Sequence, residues 1–273
     1  MKLLFVNGCI SQRGEESRTL VLARTFLDAW QARHPEAEVE TVEPEALLAL
    51  KPFAPEMLND RDALAGIRCF DAPVYDLARQ FRTADRVVVA APFWDLTFPA
   101  ALRTYIEYIS ANGLTYHYEA DGCHGDCRAE KLAYLTSGGD LEQPESLGVL
   151  YWKQLCAMFG IPAFSYVFAG GLDLDPAKTE EILTEACEKA RRLAEDFLTG
   201  GGCRKGEIAG CAGTGASAVR LRRAPFTSGS GSYTVSISMH QKRNSLDRRE
   251  ERRRWLRRSS VWWGRRPAAK RSW

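Results

Sequence analysis

The stretch Arg86–Ile106, "RVVVAAPFWDLTFPAALRTYI", decides the fold. Val87 to Ala91 form an unbroken apolar run of strand length. A run without alternation must be buried on both faces, as in a parallel sheet with helices on each side. A proline and two aromatics follow. Then Leu102, Tyr105, Ile106 and Ile109 recur at helical spacing and mark an amphipathic helix.

The pattern repeats on either side. "KLLFVN" (Lys2–Asn7) is a second such strand. The polar stretch "CISQRGEESRT" (Cys9–Thr19) leads from it into a helix carrying Leu20, Ala23, Leu27 and Trp30, with Ser17 or Thr19 as its cap and His34-Pro35 as its end. "AEVETV" (Ala37–Val42) alternates as a strand. Residues 43–66 contain Pro44, Pro52 and Pro55 and read as a long connection with at most short helical turns. A helix is expected over Val74–Ala84. "GLTYHYEADGCHGDC" (Gly113–Cys127) reads as a small hairpin with an Asp-Gly turn. Then come a strand, "KLAYLTSGGD" (Lys131–Asp140), a helix over Leu147–Phe159, a fifth strand in "FSYVFAGG" (Phe164–Gly171) and a last helix over Pro176–Leu198. Alternating strands and helices of this number imply one doubly wound α/β domain over residues 1–200.

The net charge of +2 conceals two unlike parts. From Gly201 onward there are 18 Lys/Arg against 4 Asp/Glu, so the tail carries about +14 and the first 200 residues about −12. The tail, 201–273, is rich in Arg, Gly and Ser, and only "YTVSISM" within it resembles a strand. Its composition predicts disorder. Its blend of Arg, Trp, Ser and Gly also resembles an out-of-frame reading of GC-rich DNA. No apolar run approaches the roughly 20 residues of a membrane span, and Met1–Val6 is too short for a secretory signal. A cytoplasmic protein with no membrane partner is expected. The eight cysteines are scattered, so free thiols are expected.

In an open α/β sheet, ligands bind beyond the carboxyl ends of the strands. Three such ends are chemically distinctive. Ser11, Arg13, Ser17, Arg18 and Thr19 surround a helix N-terminus, where amides, hydroxyls and guanidinium groups favour an anion. The plainer reading is a helix cap with surface arginines. Pro92, Phe93, Trp94, Asp95 and Leu96 suit the edge and face of a planar ring, or simply cover the core. Thr136, Ser137, Gly138 and Gly139 either approach a ligand closely or form a turn. In "CHGDC", Cys123, His124, Asp126 and Cys127 lack the second ligand pair of a structural zinc site, so no metal is expected. Asp173 and Asp175 read as cap and turn before the last helix.

Taken together, "RGEESRT", "AAPFWDLTFPAALRTYIEYI", "GLTYHY", "LAYLTSGGD" and "MFGIPAFSYVFAGGLD" resemble the flavodoxin-like family of FMN-dependent NAD(P)H oxidoreductases, which includes NADH:quinone oxidoreductases and azoreductases. The resemblance covers roughly residues 1–200. It implies a five-stranded parallel sheet of order 2-1-3-4-5. It also implies non-covalent FMN, with Ser11, Arg13, Ser17, Arg18 and Thr19 at its phosphate, Pro92 to Leu96 along its ring, and Thr136 to Gly139 closing the other side. Gly138 stands where many relatives carry an arginine. NADH or NADPH would reduce the flavin and a quinone, azo compound or nitroaromatic would reoxidise it, in a ping-pong sequence that needs no catalytic side chain. Tyr116 and Tyr118 are candidate substrate-lid residues, and a homodimer is implied. Two other readings compete: an electron carrier or flavin-binding protein without NAD(P)H activity, and nucleic-acid binding through the basic tail. Nucleic acid is not expected among the partners.

Overall fold

Apolar runs on both faces of a strand leave only one stable arrangement, a sheet covered on both sides, and the chain adopts it. The computed structural model describes residues 1–11, 13–141 and 146–197. The expectations for the tail, 201–273, lie outside the described residues. Strands β1 (Lys2–Asn7), β2 (Glu38–Val42), β3 (Arg86–Ala90), β6 (Lys131–Ser137) and β7 (Ala163–Ala169) form one parallel sheet in the order β2-β1-β3-β6-β7. Strands β4 (Tyr116–Glu119) and β5 (Gly122–Gly125) form a separate antiparallel hairpin. Without the hairpin, the sheet order is the expected 2-1-3-4-5.

The register puts Val6 beside Val89 and Val89 beside Tyr134. Period-two alternation then sorts the core into two layers. Leu4, Val6, Val87, Val89, Leu132 and Tyr134 face α5 (Ala100–Ile109) and α6 (Leu147–Phe159). Leu3, Phe5, Val88, Ala90, Ala133 and Leu135 face α1 (Arg18–Arg33) and α7 (Thr179–Asp196). Helix α1 buries Leu22, Ala23, Phe26 and Trp30, and the Phe26 ring meets Phe197 edge-on at 5.2 Å. Arg86, buried at the start of β3, donates from Nε to the Phe197 carbonyl (3.1 Å) and pairs with Glu130 (2.8 Å).

Three expectations need correction. Residues 43–66 are more helical than the prolines suggested: α2 (Pro44–Leu48) is short, but α3 (Pro55–Gly66) runs for 12 residues. Pro44 and Pro55 open these helices, where the missing N–H has no intrahelical partner to lose. The helix expected over Val74–Ala84 divides into a 3₁₀ turn, Pro73–Tyr75, and α4 (Asp76–Thr83). The last helix begins at Thr179, behind a 3₁₀ turn over Pro176–Lys178 that Asp175 caps by accepting from the Ala177 N–H at 3.1 Å. Helix α6 has the expected bounds, set by Ser146 at its N-cap and left-handed Gly160 after its last residue.

Among the described residues the six cysteines are free thiols. Burial pushes the Cys9, Cys127 and Cys156 thiols up to about 12, so each stays neutral near pH 8, whereas Cys123 is exposed. Brief iodoacetamide treatment at pH 8 followed by peptide mass spectrometry will show Cys123 labelled to completion and those three below about a tenth. Equal labelling of Cys9 and Cys123 would refute this.

Candidate functional site

Because the sheet is parallel, β1, β3, β6 and β7 all release their loops at the same edge. The first loop passes through a 3₁₀ turn, Gly14–Glu16, before α1 begins. Ser17 is the N-cap; its buried hydroxyl accepts from the Leu20 N–H at 3.4 Å. The amides of the first helical turn have no intrahelical acceptors and point out of the helix end, where its dipole is positive. Arg18 stands beside them, half-buried, and its guanidinium donates to Asp173 Oδ1 at 2.7 Å. Ser11 is half-buried at the loop's start, and Arg13 is exposed.

Thr19 behaves differently from Ser17. Its hydroxyl is buried and lies 2.6 Å from Ser137 Oγ at the end of β6. Thr19 falls on the same helical stripe as Leu22, Ala23 and Phe26, which turns it inward. It fastens the first strand end to the third.

The loop after β3 makes a tight turn, with the Thr97 N–H donating to the Trp94 carbonyl at 2.8 Å. Its central residues, Asp95 and Leu96, have φ of 48° and 68°. Two successive left-handed residues are usually Asn, Asp or Gly; a leucine there costs on the order of 1–3 kcal/mol. The strain buys display: Trp94 is 42% and Leu96 61% exposed, at a sheet edge whose core is otherwise sealed. Phe93 stays half-buried, 5.3 Å from the Phe168 ring, with its N–H donating to the Ser137 carbonyl at 2.9 Å.

The loop after β6 is stitched to its neighbours. The Gly138 N–H donates to the Ala169 carbonyl (3.0 Å), and the Leu172 and Asp173 amides donate to the Gly138 and Gly139 carbonyls (3.2 Å each). A Cβ on Gly138 would lie 3.1 Å from Phe168 and 3.2 Å from Phe93. One on Gly139 would lie 2.4 Å from the Asp173 carboxylate. A side chain at Gly138 would therefore make Phe93 and Phe168 yield by a few tenths of an ångström, and one at Gly139 would push the Asp173 side chain aside.

The three strand ends thus converge, with Arg18, Ser137 and Phe93 linked to residues on neighbouring loops. The Arg18–Asp173 pair and the contacts of Phe168 add β7 as a fourth wall, which residue types alone did not reveal. The hairpin is not part of this crevice. Gly125 packs on Phe159 and Gly160 at the far end of α6, and the Arg128 N–H donates to the Arg82 carbonyl just before β3. Both anchors lie at the opposite edge of the sheet. Tyr116 and Tyr118 therefore do not close the crevice of their own chain. Tyr116 packs against the core, and Tyr118 is 66% exposed. Cys123, His124, Asp126 and Cys127 do not converge either, because strand alternation turns His124 away from Cys123.

The chain is similar to known proteins of this fold. A family profile described as flavodoxin-like fold matches residues 1–194. An FMN-dependent NADH:quinone oxidoreductase of Clostridium perfringens is 31% identical over 201 residues, covering 72% of this chain and 99% of that protein. The enzyme of the same name from Clostridium beijerinckii is 30% identical with the same coverage. An azoreductase structure from Bacillus anthracis is 28% identical, with a TM-score of 0.62 over 72% of this chain and all of that one.

Proposed function

The chain belongs to this family of flavodoxin-like fold, and from that membership we propose that it is an FMN-dependent NAD(P)H oxidoreductase acting on quinones and azo compounds. The observation that carries the reading is the pairing, at one sheet edge, of an anion-favouring helix end with a strained turn that displays Trp94 and Leu96. Its relatives' names point the same way.

The donor set fits FMN. Ser17, Arg18 and the first amides of α1 suit a phosphate, with Ser11 and Arg13 at the margin of the same loop. Thr19 holds Ser137 in place and so sets the distance between the phosphate end and the ring end. Pro92, Phe93, Trp94, Asp95 and Leu96 offer amides and apolar surface to the ring, opposite Thr136 to Gly139. When bound, FMN supplies two-electron transfer between the nicotinamide and the acceptor. The chain's part is to bind, orient and exclude water; no side chain is assigned as acid, base or nucleophile. One slot serving donor and acceptor in turn gives ping-pong kinetics.

The proposal includes a homodimer. Leu147 and Leu150 are exposed and line an apolar groove with Phe98 and Tyr151, continuous with the turn that carries Leu96. Tyr118, rooted away from its own crevice, becomes a lid residue if it reaches that of a second copy.

Purified protein reconstituted with FMN will show flavin absorption and oxidise NADH or NADPH when menadione is present, with parallel double-reciprocal plots. Sedimentation will give twice the chain mass. A colourless protein that takes up no FMN overturns the reading; intersecting plots overturn the ping-pong order alone.

A further inference from the structure

Alternation gives the hairpin two unlike faces. Tyr116, Tyr118, Cys123 and Gly125 share one; Tyr116 and Gly125 pack on the body of the protein, while Tyr118 and Cys123 are exposed. His117, Glu119 and His124 share the other, with Asp126 next along the chain. Where this second face meets the turn, one ligand atom from each of Glu119, Asp121 and His124 lies within 4.8 Å of the other two. His124 Nε2 is 2.7 Å from Asp121 Oδ1. Behind them stands a relay: Asp126 Oδ2 is 2.8 Å from His117 Nδ1, and His117 Nε2 is 3.1 Å from Glu119 Oε1. The two imidazole rings stack with centroids 5.6 Å apart.

We propose that Glu119, Asp121 and His124 bind one divalent first-row transition cation, with His117 holding Glu119 and Asp126 holding His117. Two carboxylates balance the charge of the ion. The imidazole favours zinc, cobalt or nickel over magnesium or calcium. Bonds of about 2.1 Å place ligand atoms about 3–4 Å apart around such an ion, so the His124–Asp121 pair at 2.7 Å opens slightly and the wider separations close by about an ångström. An outer histidine and carboxylate that fix a ligand's orientation are the usual support of a protein metal site. Three protein ligands leave coordination positions for water. The sequence pattern His-x-Glu-x-Asp-x-x-His, residues 117–124, carries the site; the expectation of no metal weighed the cysteine spacing, and this site uses neither cysteine. The ion would join β4, the turn and β5, and none of its ligands lies in the flavin crevice.

The test uses untagged, full-length protein titrated with Ni²⁺ by calorimetry and by NMR of the histidine rings. The expected result is one ion per chain with a micromolar dissociation constant, with the His124 resonance, identified by its loss in H124Q, broadening first. D121N and H124Q should each weaken binding by about thirtyfold or more, and H117Q by about tenfold. The H117Q effect should vanish in an E119Q background, which a merely structural role for His117 would not produce. Circular dichroism checks that each variant is folded. Wild-type affinity weaker than millimolar, or affinity unchanged in D121N and H124Q, overturns the site.

Discussion

Replacing Ser17 and Arg18 together by alanine will raise the FMN dissociation constant about a hundredfold. Each removes a donor suited to the phosphate, and hydrogen bonds to charged groups are worth about 1.5–3 kcal/mol each. Two of them reach about 3 kcal/mol, or two decades in affinity. Folding will lose much less. The Ser17 cap contributes about 1 kcal/mol, and the Arg18–Asp173 pair is exposed enough for solvent to screen most of its value. Fluorescence titration with FMN and urea denaturation of the apoprotein measure the two quantities separately. T19A is the contrasting variant. Its hydroxyl is spent on Ser137, so its loss will cost folding about as much as it costs binding. Full flavin retention in S17A/R18A through dialysis would remove the phosphate from this loop.

Gly125→Ala will undo the docking of the hairpin. A Cβ there would lie 1.9 Å from both the Gly160 nitrogen and the Phe159 carbonyl carbon. Both obstacles are backbone, so no side chain can swing aside. Overpacking of this kind costs about 1–3 kcal/mol and sometimes more, and a contact this short belongs at or beyond the upper end. Gly160 is itself left-handed, φ 75°, and closes α6, so its backbone has little freedom to yield. The expected result is fast hydrogen exchange at the β4 and β5 amides, with the five-stranded sheet still protected. Wild-type protection of the hairpin in G125A would show that the contact relaxes cheaply. The same variant is informative about a dimer, because a hairpin that serves a second copy should take the assembly apart when it detaches.

The strands were legible because burial on both faces writes itself as an uninterrupted apolar run, as in Val87–Ala91. Helix α6 was legible to its ends because Ser146 and Gly160 are local signals. Helix α3 was not, because Pro55 at a first helical position has the same appearance in sequence as Pro55 breaking a helix. The crevice was legible by residue type and incomplete by partner. Arg18 and Asp173 are 155 residues apart, and no local pattern joins them. The inward turn of Thr19 was recoverable from its phase with Leu22, Ala23 and Phe26. The edge from which the hairpin springs was recoverable, because a segment between a helix and the next parallel strand lies where that strand begins; its seat on Phe159 and Gly160 was not, because no local pattern joins Gly125 to them.

The embrace of α1 by α7, closed by Phe197 and held by Arg86, has a consequence for synthesis. Helix α1 leaves the ribosome well before α7, the partner that covers it. At about 5–20 residues per second, the face carrying Leu22, Phe26 and Trp30 waits roughly ten to thirty seconds for its cover. Arg86 likewise waits for the Phe197 carbonyl. The nascent chain therefore presents an open apolar layer until α7 emerges, and α1 is covered long after it is made.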